Sequence, residues 1–180
     1  GGVAAEKRAV ALEVLAIDPM RYLVMPRIVA CLVMLPVLTI FADVLAICQE
    51  LARCKMKLYP YCAARTHPND ITPIIEIQQR SGIKVQAALF IFSSPIRQFA
   101  EDWTVDRMLK VSETAIEFAH KNDVPVMYVT EDTTRSQPET LERLYGMAID
   151  HDVERLCISD TVGHATPEGA AAVSRFVRSM

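Results

Sequence analysis

Basic clusters are the first thing this chain lacks. Across 180 residues, 19 Lys and Arg face 22 Asp and Glu, for a net charge of −3 and a pI near 5.8. Nucleic-acid surfaces need concentrated cations and a high pI, so no nucleic-acid partner is expected. The five cysteines (Cys31, Cys48, Cys54, Cys62, Cys157) form no Cys-x-x-Cys pair and no zinc-ligand spacing. Their odd number suits reduced thiols, each expected as a small buried hydrophobe. The four histidines (His67, His120, His151, His164) stand alone, without a His-x-His or His-x-x-x-His pair. No residue is therefore assigned as a metal ligand. Neither a Gly/Ser-rich nor a Pro-rich spacer marks a linker. The chain opens on Gly1 and not Met, as expected of a piece of a longer protein.

Apolar residues make up 51% of the chain, enough to build a core at this length. They fall into two patterns, giving an expected division into a helical segment over 1–50, a junction over 51–64 and a strand–helix region over 65–180. Ile28 to Cys48 (IVACLVMLPVLTIFADVLAIC) is long enough to cross a hydrocarbon core of about 30 Å as a helix. Its dozen Leu, Ile, Val and Phe each favour insertion by about 0.3–0.6 kcal/mol, against a cost of up to roughly 3 kcal/mol for Asp43. The sum favours a membrane span modestly, and a buried helix of a soluble protein is the other reading. Arg21 and Arg27 precede it, while Arg53, Lys55 and Lys57 follow, so charge sets no orientation. The apolar stretch is too long for a signal peptide, and no small-residue cleavage site follows it. Upstream, Ala9 to Ile17 (AVALEVLAI) reads as a short apolar helix closed by Asp18-Pro19.

The run ALEVLAIDPMRYLVMPRIVACLVMLPVLTIFADVLAI closely resembles the permease subunit of Mla-type ABC transporters, which move phospholipids between Gram-negative membranes. The resemblance implies an inner-membrane location through residues 28–48 and an ABC ATPase subunit as partner, with Glu13 and Asp18 at the ATPase contact. It ends after Ile47, and the family's further membrane helices have no counterpart downstream.

Between Gln49 and Ala64 the pattern fails, although Lys55 to Cys62 alternates enough to suggest a strand. Beyond it, strands and helices alternate. Residues 70–80 read as a helix stopped by Ser81-Gly82. Val85–Phe92, Val124–Val129 and Val153–Ile158 read as short buried strands. Helices are expected over Thr104–His120, from a Ser136 N-cap with Pro138 and Glu139 to Asp150, and from Thr166-Pro167-Glu168 to Val177. Such alternation predicts an α/β fold of consecutive parallel βα units. Each strand is followed by polar residues: Ser93-Ser94-Pro95-Ile96-Arg97, Thr130 to Arg135, and Ser159 to His164. The carboxyl ends of parallel strands are where α/β folds bind ligands, so this edge is the expected functional edge.

SSPIRQFAEDW, YVTEDTTRSQPETL and DTVGHATPEGA resemble the pyruvate-carboxyltransferase-like barrels, the group of 2-isopropylmalate synthase, homocitrate synthase and HMG-CoA lyase. The resemblance reaches back to RTHPNDI at Arg65. It implies a partial aldolase-type TIM barrel, cytoplasmic in location, preceded by the apolar, transmembrane-length segment. It further implies acyl-CoA and an α-keto acid as substrates and a divalent metal (Mg, Mn or Zn) as cofactor, acting as a Lewis acid. Within it, Glu131 matches the catalytic glutamate, for proton transfer or orientation, and Thr161 the threonine that holds the keto-acid carboxylate. Ser94 and Thr130 match substrate-pocket positions, while Asp132, Arg135 and Asp160 are expected to brace loops. The family's first-strand Asp-Arg-Glu motif and later His-x-His pair are missing from this sequence. A chain with the fold but without those metal ligands is expected to be catalytically incomplete alone.

Overall fold

The computed structural model describes residues 25–55 and 58–180. Its described residues divide into two compact units, with the boundary between Ala46 and Ile47. Helix α1 covers Met25–Cys54, so the expected helix over Ile28–Cys48 is present. Among the described residues, however, no helix is long and apolar enough to cross a membrane. Asp43 interrupts the apolar sequence, and the last turns are polar: Arg53 Nε donates to Glu50 Oε2 at 2.8 Å in solvent. The membrane span expected of Ile28–Cys48 is thus without support among the described residues. Glu13 and Asp18 lie outside the described residues.

The second unit holds four strands: β1 (Tyr61–Arg65), β2 (Gln86–Phe92), β3 (Val126–Glu131) and β4 (Arg155–Ile158). They form one sheet in the order β1-β2-β3-β4, and every adjacent pair is parallel. The strand suggested over Lys55–Cys62 is thus displaced, since only its last two residues belong to β1. Five helices follow the strands: α2 (Pro68–Ser81), α3 (Pro95–Glu101), α4 (Val105–Lys121), α5 (Pro138–Asp150) and α6 (Pro167–Arg178). A sheet whose spatial order repeats its sequence order, without the reversal of a doubly wound fold, is a sector of a (β/α) barrel.

Local chemistry sets the element ends. Nδ1 of His67 accepts from the Asn69 N–H, and Pro68 opens α2 with its φ already helical. Gly82 closes that helix at φ +73°, and its N–H donates to Gln78 O. Thr104 Oγ1 accepts from Arg107 N at the start of α4, and Thr166 Oγ1 from Gly169 N at the start of α6. The expected Ser136 cap is corrected: Gln137 occupies the cap position of α5 without a side-chain bond. The Ser136 hydroxyl is instead drawn to Asp132 O at 3.0 Å and Ser93 Oγ at 2.6 Å.

The core lies between sheet and helices. On α4, Met108, Ser112, Ala115, Ile116 and Ala119 form one buried stripe at helical spacing. Each large apolar side chain there contributes about 1.5–3 kcal/mol by leaving water. Val126, Tyr128 and Thr130 of β3 point into this layer and are fully buried, whereas Met127, Val129 and Glu131 alternate to the other, half-exposed face. Tyr128 Oη meets Ser112 Oγ at 2.8 Å, which satisfies both hydroxyls within the core. Of the four cysteines whose side chains are described, Cys48 is buried, but Cys54 is exposed and Cys62 and Cys157 are half-buried, so the expectation of uniform burial is corrected.

Candidate functional site at the carboxyl edge

Three loops leave the carboxyl ends of β2, β3 and β4, and hydrogen bonds lace them together. Ser93 follows β2 directly; its N–H and Oγ both donate to Glu131 O, at 3.1 and 3.0 Å. After β3, Asp132 adopts the left-handed conformation (φ 64°, ψ 34°) and turns the chain into a short 3-10 helix over Thr133–Arg135. That conformation costs an L-residue roughly 1 kcal/mol or more, though Asp tolerates it better than most. Three hydrogen bonds hold the turn. Arg135 grips the Asp132 carboxylate through Nε (2.7 Å) and Nη2 (2.6 Å), and the Asp132 N–H donates to Thr161 Oγ1 at 2.8 Å. The adjacent Arg135 guanidinium holds the Asp132 carboxyl below its ordinary range, against the opposing effect of burial. In the third loop, Asp160 accepts from Ala165 N and Thr134 Oγ1, both at 2.9 Å. Those backbone and hydroxyl donors likewise lower its titration. Asp132, Arg135 and Asp160 brace these loops, as the sequence suggested.

The four expected site residues separate in space. Glu131 ends β3, is half-exposed, and lines a cleft of about 760 Å³ together with Arg65, Phe90, Phe92, Arg97, Trp103 and Arg107. Its side chain makes no hydrogen bond among the described residues. Thr130, one residue earlier, points the opposite way into the helix layer, as strand alternation dictates. Its hydroxyl is shared with Thr133 Oγ1 and Tyr145 Oη, and Tyr145 Oη in turn donates to Cys157 O at 3.1 Å. Burial pushes the Tyr145 phenol up, which keeps it protonated as a donor. Ser94 is fully buried at the N-cap of α3, near Asp132 but outside hydrogen-bond geometry. Thr161 spends its oxygen on the Asp132 N–H. Ser94 and Thr130 are thus buried away from the cleft, while Thr161 is exposed beside it, accepts from the Asp132 N–H and does not line it.

Other residues take their place. Arg65, at the end of β1, pairs with Asp70 through Nε (2.6 Å) and Nη2 (3.1 Å). Arg97 stands near Glu101 at 3.4 Å and over the Phe92 ring. Arg107 lies 4.3 Å from the Trp103 ring centroid, and no carboxylate pairs with it among the described residues. The cleft thus combines three arginines, the rings of Phe90, Phe92 and Trp103, and the carboxylates of Glu131, Asp70 and Glu101, the last two beside arginines. RTHPNDI signalled Arg65 and Asp70, and SSPIRQFAEDW contains Arg97 and Trp103, whereas Arg107 lies in no motif.

A divalent metal does not fit this edge. Asp70 and Asp132 are committed to arginines and His67 Nδ1 to a helix cap, and the remaining Glu131 and Glu101 are not brought together with a third ligand among the described residues. Elsewhere, Glu113, Glu117 and His151 bring their ligand atoms within 4.8 Å of one another. They lie toward the carboxyl ends of α4 and α5. Those helices run back along the strands, so the group sits at the opposite end of the sheet from the cleft. It cannot polarise a substrate bound at Glu131.

Comparison with known proteins bears on both units. The family model described as Permease MlaE matches residues 3–90. That range runs through α1 and on into β1, α2 and part of β2. Over 106 residues the chain is 33% identical to 2-isopropylmalate synthase of Lactococcus lactis subsp. cremoris (strain SK11), covering 58% of this chain and 20% of that protein. It is 39% identical over 80 residues to the Aquifex aeolicus 2-isopropylmalate synthase, covering 44% and 15%. A putative (R)-citramalate synthase of Methanosarcina acetivorans is 32% identical over 74 residues, covering 41% and 15%. The chain spans about a fifth of the length of the first of these relatives. Among solved structures, HMG-CoA lyase of Bacillus subtilis matches with a TM-score of 0.54 at 15% identity, over 66% of this chain and 40% of that one. The Brucella melitensis HMG-CoA lyase gives 0.51 at 13% identity, over 65% and 42%. The parallel α/β unit is therefore similar to the barrel group of 2-isopropylmalate synthase and HMG-CoA lyase, and residues 3–90 to the MlaE permeases.

Proposed function

We propose that the second unit is the substrate-binding sector of a 2-isopropylmalate synthase-like acyltransferase, built to hold an α-keto acid for condensation with acyl-CoA. The observation that carries this reading is the position of Glu131. It is the one carboxylate at the strand ends that is neither paired nor buried, and it faces a cleft lined by arginines. A keto-acid carboxylate would be drawn to Arg107, whose charge no neighbouring acid neutralises. Its alkyl group would rest on Phe90 and Phe92, leaving the reacting carbon toward Glu131. Glu131 then serves as the proton-transfer or orienting group. Thr161, Thr130 and Ser94 act through the loops as positioning residues: Thr161 fixes the Asp132 turn, which in turn sets the Glu131 backbone.

Without a ligand set at the cleft, the unit binds but does not complete the condensation. Calorimetric titration of the full chain with α-keto acids, from pyruvate to its branched homologues, tests this reading. We expect saturable binding that weakens at least tenfold in Arg107→Gln, with no thiol released from acyl-CoA. No heat with any keto acid, or equal affinity in Arg107→Gln, would refute it.

A second reading is favoured by the permease match over residues 3–90. In it, α1 belongs to a phospholipid-transport permease, and Glu13 and Asp18 meet the ABC ATPase. Co-purification with an ABC ATPase that is lost in Glu13→Lys would support this alternative over the first.

A further inference from the structure

We infer that Glu113, Glu117 and His151 form a binding site for one first-row divalent metal ion of the Zn2+ class, which clamps α4 to α5. The inference goes beyond the keto-acid reading and is independent of it, because these side chains stand at the opposite end of the sheet from the cleft.

The ligands come from two elements. Glu113 and Glu117 lie one turn apart on α4, so both carboxylates leave the same helical face. His151 arrives from the C-cap of α5, the next helix. One ligand atom from each of the three lies within 4.8 Å of the other two. Helix α4 is flanked by α2 and α5 of the same chain, so the set takes its shape from described residues alone. The backbone seats the histidine: its N–H donates to Met147 O at 3.1 Å, and the Asp152 N–H donates to Ile149 O at 2.9 Å. Asp152 then turns the chain away at φ 53°. The imidazole is 25% exposed and the Glu113 side chain 50%. A seated imidazole thus faces carboxylates that have room to rotate.

The spacing suits a metal better than a hydrogen bond. His151 Nε2 and Glu113 Oε1 are 3.4 Å apart, longer than the about 2.7–2.9 Å of a charge-assisted hydrogen bond. Zn–N and Zn–O bonds of about 2.0–2.2 Å at the tetrahedral angle put two ligand atoms about 3.3–3.6 Å apart. The pair therefore already spans one edge of a zinc tetrahedron. Rotation of the exposed Glu117 side chain closes the second edge, and water takes the fourth position, as in three-ligand zinc sites.

Charge points the same way. Glu113 and Glu117 repel each other across one helical turn, and neither meets a Lys or Arg among the described residues. Other helical acids do find such partners: Asp106 pairs with Arg143, and Glu76 with Arg80. A cation between the two glutamates removes their repulsion. The imidazole sets the class of ion, since Mg2+ and Ca2+ prefer oxygen ligands throughout, whereas Zn2+ and its neighbours accept nitrogen.

The test is calorimetric titration of the full chain with Zn2+ alone, in mild detergent if required, paired with amide exchange. We expect a site for one ion per chain that a hundredfold excess of Mg2+ does not block. Glu117→Gln and His151→Ala should each weaken it at least tenfold. Saturating Zn2+ stabilises the folded form by mass action, so amides over 113–121 and 147–153 should gain at least tenfold protection. Absence of Zn2+ binding overturns the inference, and so does equal affinity in Glu117→Gln, which would mean an adventitious ion only. Equal affinity for Mg2+ also overturns it, as does binding that leaves both helix segments unprotected. If His151→Ala unfolds, Glu117→Gln, a near-isosteric change at an exposed position, decides alone.

Discussion

The Asp132 backbone N–H donates to the hydroxyl of Thr161, 29 residues later in the chain, at 2.8 Å. This bond joins the loop after β3 to the loop after β4, one residue beyond Glu131. The two motifs that stand about 30 residues apart in sequence thus meet as one hydrogen-bonded corner. Removing the hydroxyl in Thr161→Val should leave the Asp132 N–H unpaired and cost about 1–2 kcal/mol in urea unfolding. Keto-acid affinity should fall with it, since Glu131 loses its backing.

Asp132 itself makes a pH prediction. Its carboxyl is held below its ordinary range by Arg135, so as pH falls the unfolded chain takes up a proton before the folded one. Its stabilising contribution is complete above the unfolded value and is lost as pH drops through the folded one, below about pH 4. Asp70, held down by Arg65, and Asp160, held down by the Ala165 N–H, act in the same direction. Unfolding followed from pH 7 to 3 should show stability falling only at the acid end. Asp132→Asn should flatten that fall while costing about 1–3 kcal/mol at pH 7.

The Tyr128–Ser112 pair is a buried bond with both partners inside the protein. Tyr128→Phe should cost about 1–2 kcal/mol by stranding the serine hydroxyl. The double variant with Ser112→Ala should cost less than the sum of the single changes, a coupling that a double-mutant cycle measures directly.

Gly82 closes α2 at φ +73° with open space around its α-carbon. Gly82→Ala therefore meets no clash and pays only for the left-handed backbone, about 1 kcal/mol. A thermal shift of a few degrees with unchanged ligand binding is the expected result.

The unit boundary predicts where the chain can be shortened. Starting at Ile47 keeps β1 and the end of α1, and should preserve the circular dichroism of the α/β unit. Starting at Arg65 removes four of the five residues of β1, along with their pairing to β2, and should leave an insoluble or loosened product.

Much of the strand–helix alternation was legible because its signals are local. Gly82, Thr104 and Thr166 each fix a helix end within a few residues of themselves, and β2 announces itself as an unbroken apolar run. What sequence obscured was direction and competition. Thr130 and Glu131 are adjacent, yet strand alternation sends one hydroxyl into the core and the other side chain into the cleft. Which of them faces in depends on packing against Tyr145. Ser136 looks like a helix cap, but its hydroxyl is claimed by Asp132 O and Ser93 Oγ, partners that exist only once the loops have met. Arg65 and Arg107 converge from different βα units on one cleft, and no spacing rule encodes that meeting.

The sequential order of the strands also governs how the chain can be made. Each strand lies beside the one synthesised just before it, so no pairing has to wait for a distant segment. Growth can proceed one βα unit at a time as the polypeptide leaves the ribosome, every new strand finding its template already in place.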